Sequence, residues 1–212
     1  MAAFVFPDSD LFKEVSFQLE SHTMVHESPL NRVRDELELD GARWIGRWLL
    51  EILTPAEAAR WKAFLASLRG RARRFEGYDN INRSPRGVFN VGLDFPLVNG
   101  IGQVGHSLII DGLRNSIANI FLIGDYFQLV VGGTTTKRLH MITEADISSD
   151  GGGNATLKIE PALRGIPADD AALVFIDPVC EMTLSGDDQA SWTTVPGQIT
   201  EEIQLIGIEA LV

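Results

Sequence analysis

Apolar residues recur with a period of two over Val15-Ser-Phe17-Gln-Leu19, the rhythm of a strand buried on one face. A second alternating piece runs from Val33 to Leu39. It is loaded with charge at Arg34, Asp35, Glu36 and Glu38, next to Arg32, and is expected on a sheet edge or at a contact between subunits. Gly41 marks a turn. Beyond it Trp44, Trp48, Leu50 and Ile52 are expected on one face of the next segment.

The pattern then changes period. Thr54-Pro-Ala-Glu57 carries an N-cap threonine, proline at the first helical position and glutamate at the third. That is a capping box, which satisfies backbone N–H groups otherwise orphaned at a helix start. Trp61, Phe64, Leu65 and Leu68 follow at helical spacing and form one apolar stripe, and Gly70 is expected to end the helix. The spacing predicts about 16 residues, roughly 24 Å, of helix lying across a sheet, with Trp61 and Phe64 buried against Trp44 and Trp48.

From Asn80 to Gly105 the chain is rich in Gly, Asn and Pro and reads as a long loop. A second β rhythm follows. His106 to Ile110 reads as strand; Phe121 to Val131 reads as a strand broken by a bend at Gly124-Asp125. Lys137–Thr143, Ala155–Ile159 and Ala172–Ile176 come next, with turns at Gly132-Gly133 and over Asp150–Asn154. Short strands separated by glycine turns indicate a small barrel or sandwich. Glu202 to Leu211 supplies one more strand.

Composition narrows the function classes. With 212 residues, 45% hydrophobic and 22% charged, the chain can bury a real core, and disorder is not expected. No apolar run approaches the roughly 20 residues that span a bilayer, and the start lacks the basic and apolar regions of a signal segment. A soluble protein made in the cytoplasm is expected. The net charge of −11 argues against gripping nucleic-acid phosphates and suits a channel through which DNA slides. The arginines at 69, 71, 73 and 74 are expected to form a solvated or inter-subunit basic edge at the helix C-terminus.

Several motifs suggest chemistry and lack its context. Gly100-Ile-Gly102-Gln-Val-Gly105 matches a dinucleotide fingerprint, but strand and turn follow where a helix N-terminus is needed. Asp146, Ser148 and Asp150 with Gly151 resemble half of a calcium loop, yet Leu157 stands where a bidentate glutamate belongs. His22, His26, His106 and His140 are scattered, and the pairs Asp169-Asp170 and Asp187-Asp188 read as exposed turns. The single cysteine, Cys180, is expected as a small buried residue in a strand. No catalytic, cofactor-binding or metal-binding residue is assigned, and no cofactor is expected.

The segment Leu53-Thr-Pro-Ala-Glu-Ala-Ala-Arg-Trp61 through Gly70 resembles the helix of distal tail proteins from lambda-like and gene-transfer-agent-like phage tails. Gly124-Asp-Tyr-Phe-Gln128, the strand around Leu139-His-Met141, and Gly153 to Arg164 resemble a second module of the same proteins. The chain departs from that pattern at Pro161-Ala162, where a second proline is usual, and in the Asn80–Gly105 loop.

The resemblance implies a mainly β (α+β) fold: a tail-tube-like β-sandwich or barrel with one flanking α-helix, plus an inserted small, OB-like β-barrel. The ring domain would comprise 1–100 with 177–212, and the insert 101–176. It further implies a structural virion protein rather than an enzyme. Such a protein forms a hexameric ring at the tail tip, joined to the tail tube protein and the baseplate hub protein. Tape measure protein or DNA would occupy its lumen without specific binding, and no membrane would be involved. The alternative is a baseplate module that binds carbohydrate or a receptor-binding protein, which solvent-facing Tyr126 or Phe127 would favour. The N-terminal arm, Phe4-Val5-Phe6 within Met1–Asp10, is expected to pack on a neighbouring subunit or tube ring, because apolar side chains left in water forfeit about 1.5–3 kcal/mol each.

Overall fold

The computed structural model describes residues 3–8, 11–131, 134–189, 191–195, 199–200 and 203–211. Along the chain the strands are β1 (Phe12–Glu20), β2 (Thr23–Glu27), β3 (Arg34–Glu38) and β4 (Arg43–Leu50), followed by the helix α1 (Pro55–Leu68). Next come β5 (Phe75–Gly77), β6 (Leu97–Val98), β7 (Gly105–Asp111), β8 (Tyr126–Val130), β9 (Lys137–Ile142) and β10 (Ala155–Leu163). The last five are β11 (Leu173–Val174), β12 (Cys180–Leu184), β13 (Thr194–Val195), β14 (Ile199–Thr200) and β15 (Gln204–Glu209). The fold is mainly β with a single helix among the described residues.

Two sheets dominate. The first has the order β1-β4-β15-β12-β5, so the C-terminal strand lies between elements from the start and from near the end of the chain. The second has the order β11-β8-β9-β10-β7-β6. Its two ends meet: Leu97 bridges Ala172, the Val98 N–H donates to Ala171 O at 2.9 Å, and the Leu173 N–H donates to Pro96 O at 3.0 Å. The sheet is therefore a nearly closed barrel, which leaves little free edge to pair with other chains. Its first strand, β6, lies inside the stretch expected as loop, and its core takes in Phe89 and Val98 upstream of residue 101.

The first core is aromatic. Trp44, Trp48 and Leu50 point inward from β4, as the alternation predicts. The inward face does not continue to Ile52, which is 66% exposed; β4 has ended at Leu50, and Leu53 fills the core instead. The indole of Trp48 lies over glycines of three strands. A Cβ on Gly46 would come within 2.0 Å of the ring, and one on Gly77 or Gly207 within 2.9 or 3.1 Å. Only glycines leave room for a flat indole there.

Helix α1 begins as its sequence dictates. The Thr54 N–H and hydroxyl both donate to the Glu57 carboxylate, at 2.8 and 2.7 Å, and these bonds hold that carboxyl below its ordinary pKa. The helix ends one residue before expected, with Arg69 already in the left-handed region ahead of Gly70. Ala58, Trp61, Phe64, Leu65 and Leu68 are buried against the sheet that carries Trp44 and Trp48.

The N-terminal arm departs from expectation. Phe6 is only 7% exposed and touches the rings of Phe12, Trp48, Trp61, Phe64, Phe75 and Tyr78. Phe4 forms a parallel bridge to Phe75, its N–H donating to Arg74 O at 2.9 Å. The rings of Phe4 and Phe6 are thus satisfied within the same chain, which removes the reason for them to seek a neighbour; among the described residues of the arm only Val5 is exposed. Met1, Ala2, Ser9 and Asp10 of that arm lie outside the described residues, as does the expected Gly132-Gly133 turn.

Candidate interaction surface

Between β1 and β4 the chain makes an excursion whose two strands are exposed along their whole length. β2 and β3 form an antiparallel hairpin in which Met24 faces Leu37 and Val25 faces Glu36, and every residue of both strands is exposed. The turn is closed by Ser28 N–H to Val33 O and Arg32 N–H to Ser28 O, both 2.9 Å, and one rung is braced by Arg34 on Glu27 at 2.7 Å. Met24, Val25, Leu30, Val33 and Leu37 are each more than half exposed, Leu30 at 95%. A lone two-stranded hairpin in water is marginal. The charged strand read from Val33 to Leu39 is as exposed as its sequence implies.

The hairpin's base meets the second sheet. His106 Nδ1, at the start of β7, lies 2.9 Å from Glu160, and its Nε2 lies 3.8 Å from Glu38 of β3. An open cavity of about 440 Å³ sits at this junction, bounded by Glu38, Asp40, His106, Pro161 and Arg164.

Behind that junction the two sheets are fastened by buried charge. Glu209 of β15 accepts the Trp44 N–H at 3.1 Å and pairs with Arg164 at 3.0 Å and Arg138 at 3.5 Å. Arg138 also donates to Ala210 O at 2.6 Å, and Trp44 Nε1 donates to Leu139 O at 2.8 Å. His140 beside them is buried, its Nδ1 bonded to Pro161 O at 2.8 Å and its Nε2 without a partner in the described structure. Burial first, then the charges of Arg164 and Arg138, push its pKa down to about 4 despite the Pro161 bond. This cluster ties β9 and the end of β10 to the last strand; His140 is neutral and sealed from solvent, unsuited to shuttling protons.

The loop from Asn80 to Gly105 is held rigidly. Asp94 is buried and accepts hydrogen bonds from the Arg114 side chain at 3.0 and 3.1 Å, the Arg114 N–H at 2.9 Å and the Asn90 N–H at 2.8 Å. Burial alone would raise that carboxyl; the bonds and the Arg114 charge outweigh it and hold its pKa below the usual value. The Asp125 carboxylate accepts hydrogen bonds from the Arg86 side chain at 2.8 Å and the Leu122 N–H at 2.8 Å. Both carboxylates lie beneath their arginines: Asp94 and Asp125 have essentially no exposed side chain, whereas Arg114 and Arg86 reach the surface. On this fixed frame Val88, Val91, Leu93 and Phe95 stand more than half exposed.

The motifs singled out in the sequence are placed apart and used structurally. Gly100, Gly102 and Gly105 all take positive φ in the approach to β7, with strand rather than helix after them. The Asp150 carboxylate accepts the Gly152 and Asn154 N–H groups at 2.8 Å, and Asp146 accepts the Ile123 N–H at 2.9 Å; both are turn residues. Asp169 caps the Gly100 N–H at 2.7 Å, and Asp187 the Arg71 N–H at 3.0 Å. Cys180 is fully buried in β12, and burial pushes its thiol pKa up, away from reactivity. Of the four arginines after α1, Arg69 and Arg71 are exposed. Arg73 reaches back to Ser67 O at 3.2 Å, and Arg74 is drawn into an ion pair with buried Glu181 at 3.1 Å. Tyr126 and Phe127 are both buried, so neither offers a face for a sugar to stack on.

Sequence reasoning missed Asp94, Asp125 and Glu209. Each is one carboxylate among 29 acidic residues, and its partner lies far along the chain, so no local pattern marks it. No helix is long and apolar enough to cross a membrane, and no cluster of metal-ligating side chains occurs among the described residues. Comparison with known protein families and with curated proteins finds no match to this chain.

Proposed function

We propose that this chain is a structural ring subunit of a long-tailed phage tail tip. It would join the tail tube to the baseplate hub as a hexamer and leave a channel for DNA. The observation that carries this reading is the hairpin β2–β3: five large apolar side chains in water on an element without support from its own core. Exposed apolar patches of this kind mark surfaces that another protein covers. A head-to-tail contact that closes on itself generates a ring. The net charge of −11 fits a lumen that DNA crosses without adhering. The resemblance of the helix and second-module segments to distal tail proteins supplies the identity of the ring. A structural rather than enzymatic role is part of the proposal.

The test is native mass spectrometry with negative-stain microscopy of the full chain over a range of concentrations, alone and with purified tail tube. A closed oligomer with a central channel is expected, with no salt-sensitive binding to duplex DNA. A chain that stays monomeric under all these conditions, or that binds DNA tightly at low salt and loses it as salt rises, would overturn the reading.

A further inference from the structure

The hairpin and the exposed apolar loop stand at opposite ends of one strand. Glu38, at the hairpin's base, approaches His106 at the start of β7. Phe95 of the loop donates its N–H to Gly112 O, just past the end of β7, at 2.8 Å. At about 3.3 Å per residue the two sites lie roughly 20 Å apart along the barrel wall. The surfaces also match in character. The hairpin offers Met24, Val25, Leu30, Val33 and Leu37, and the loop offers Val88, Val91, Leu93 and Phe95. The hairpin is net acidic, with Glu27, Asp35, Glu36 and Glu38 against Arg32 and Arg34, and Asp35 and Glu36 have no ion-pair partner among the described residues. The loop is rimmed by Arg86 and Arg114, whose paired carboxylates are buried underneath, so an approaching chain meets an apolar face with guanidinium groups, rather than their balancing carboxylates, at its margin.

We infer that the hairpin β2–β3 of one copy docks on the Val88–Phe95 loop of the next copy, head to tail. The proposal rests on the ring reading above and names the contact that would build the ring. The loop is suited to the role because its two aspartate–arginine clamps fix its shape before contact, so little order need be gained on docking. The hairpin face that carries Met24 and Leu37 also carries Asp35, so those apolar side chains can seat on the loop while Asp35 lies against the arginine rim. A heterologous contact of this kind uses two different surfaces of each subunit, and both are vacant in a single chain.

The experiment mixes two singly substituted full-length chains of distinguishable mass, Leu37→Cys and Leu93→Cys, under mild oxidation. Cys180 stays in place, buried in its strand. The expected product is the mixed disulfide dimer, exceeding either like-with-like dimer by at least about tenfold, a preference equivalent to about 1.4 kcal/mol. Mixing Leu37→Cys with Ile52→Cys, similarly exposed just past the end of β4, should give no such excess. A second arm measures self-association of the double variant Leu93→Ser with Phe95→Ser, both at exposed positions, expected to weaken at least about tenfold. Mixed and like dimers in statistical proportion overturn the docking proposal. If a closed oligomer still forms, the ring reading survives with a different contact. A strong mixed-dimer excess with only open-ended chains upholds the contact and overturns the ring. A monomer at every concentration with no excess overturns both.

Discussion

The two halves of the molecule are stabilised in different ways. The first sheet gathers its core from segments far apart in sequence: Phe6, Trp44 and Trp48, Trp61 and Phe64, Phe75, Met182 and Leu205. Its rings meet mostly edge-on, with centroids between 5.2 and 6.4 Å apart. The second sheet is built from one continuous stretch, and its core is aliphatic apart from a small phenylalanine group, in which Phe121 and Phe175 stack at 3.9 Å. Its loops, however, are shaped by buried carboxylates rather than by apolar packing. The first core is filled chiefly by aromatic volume, and the loops of the second sheet are held by satisfied charge, so these two regions should fail to different kinds of substitution.

The largest effects are expected in the aromatic core. Phe64→Ala and Phe6→Ala should each cost about 3–5 kcal/mol, the range for truncating a buried aromatic. Urea denaturation of the isolated chain checks both. Phe6 is the sharper of the two, because an arm that packed only on a neighbour would leave the isolated chain's stability unchanged. In the second half, Asp94→Ala leaves the Arg114 guanidinium and two backbone N–H groups without their acceptor. Breaking a buried pair costs about 3–5 kcal/mol, and the 28% exposure of Arg114 brings the expectation to about 2–4 kcal/mol. Hydrogen exchange should accelerate at Asn90 and Arg114 while the amides of α1 are unaffected. Equal acceleration in α1 would mean that the two halves are not separable in this way.

The joint between them should respond to pH. His140 is neutral in the folded chain with its pKa near 4, whereas in the unfolded chain it titrates near 6.5. Between those values the unfolded state binds the extra proton, so His140's contribution is fully present above about pH 6.5 and is lost as pH falls toward 4. His140→Gln should shrink the difference between urea midpoints measured at pH 7 and pH 4.5; an unchanged difference would mean that other groups dominate that window. The smallest effect is expected at the hairpin. Met24→Ser with Leu37→Ser should alter the melting free energy of the isolated chain by no more than about 0.5 kcal/mol, as for other exposed sites. A larger loss would show that the hairpin is supported by its own chain after all.

What could be read from the sequence was what depends on neighbours within a turn or a strand. The capping box at Thr54–Glu57 and the stripe from Trp61 to Leu68 place a helix without help from the rest of the chain. Period-two alternation placed β1 and β4, and the hairpin's charge announced its exposure. Glycines and aspartates marked the turns around Asp150, because local side-chain bonds hold them. The two-residue strand β6 was different: it lay hidden in a stretch read as loop, since two residues carry no period and pair only because the barrel closes, whereas β11 falls inside the Ala172–Ile176 stretch read as strand.

Tertiary structure decided the rest, and the physical reason is the same in each case. Phe6 is buried because a ring-sized space remains among Trp48, Trp61 and Phe75, which local sequence does not encode. Gly46, Gly77 and Gly207 matter because a single indole lies across three strands. Asp94, Asp125 and Glu209 are structural because arginines distant along the chain arrive beside them. Local propensity and periodicity act over a few residues and are written in order along the chain. Packing volume and buried charge depend on which distant segments meet, and that is decided only when the sheets assemble.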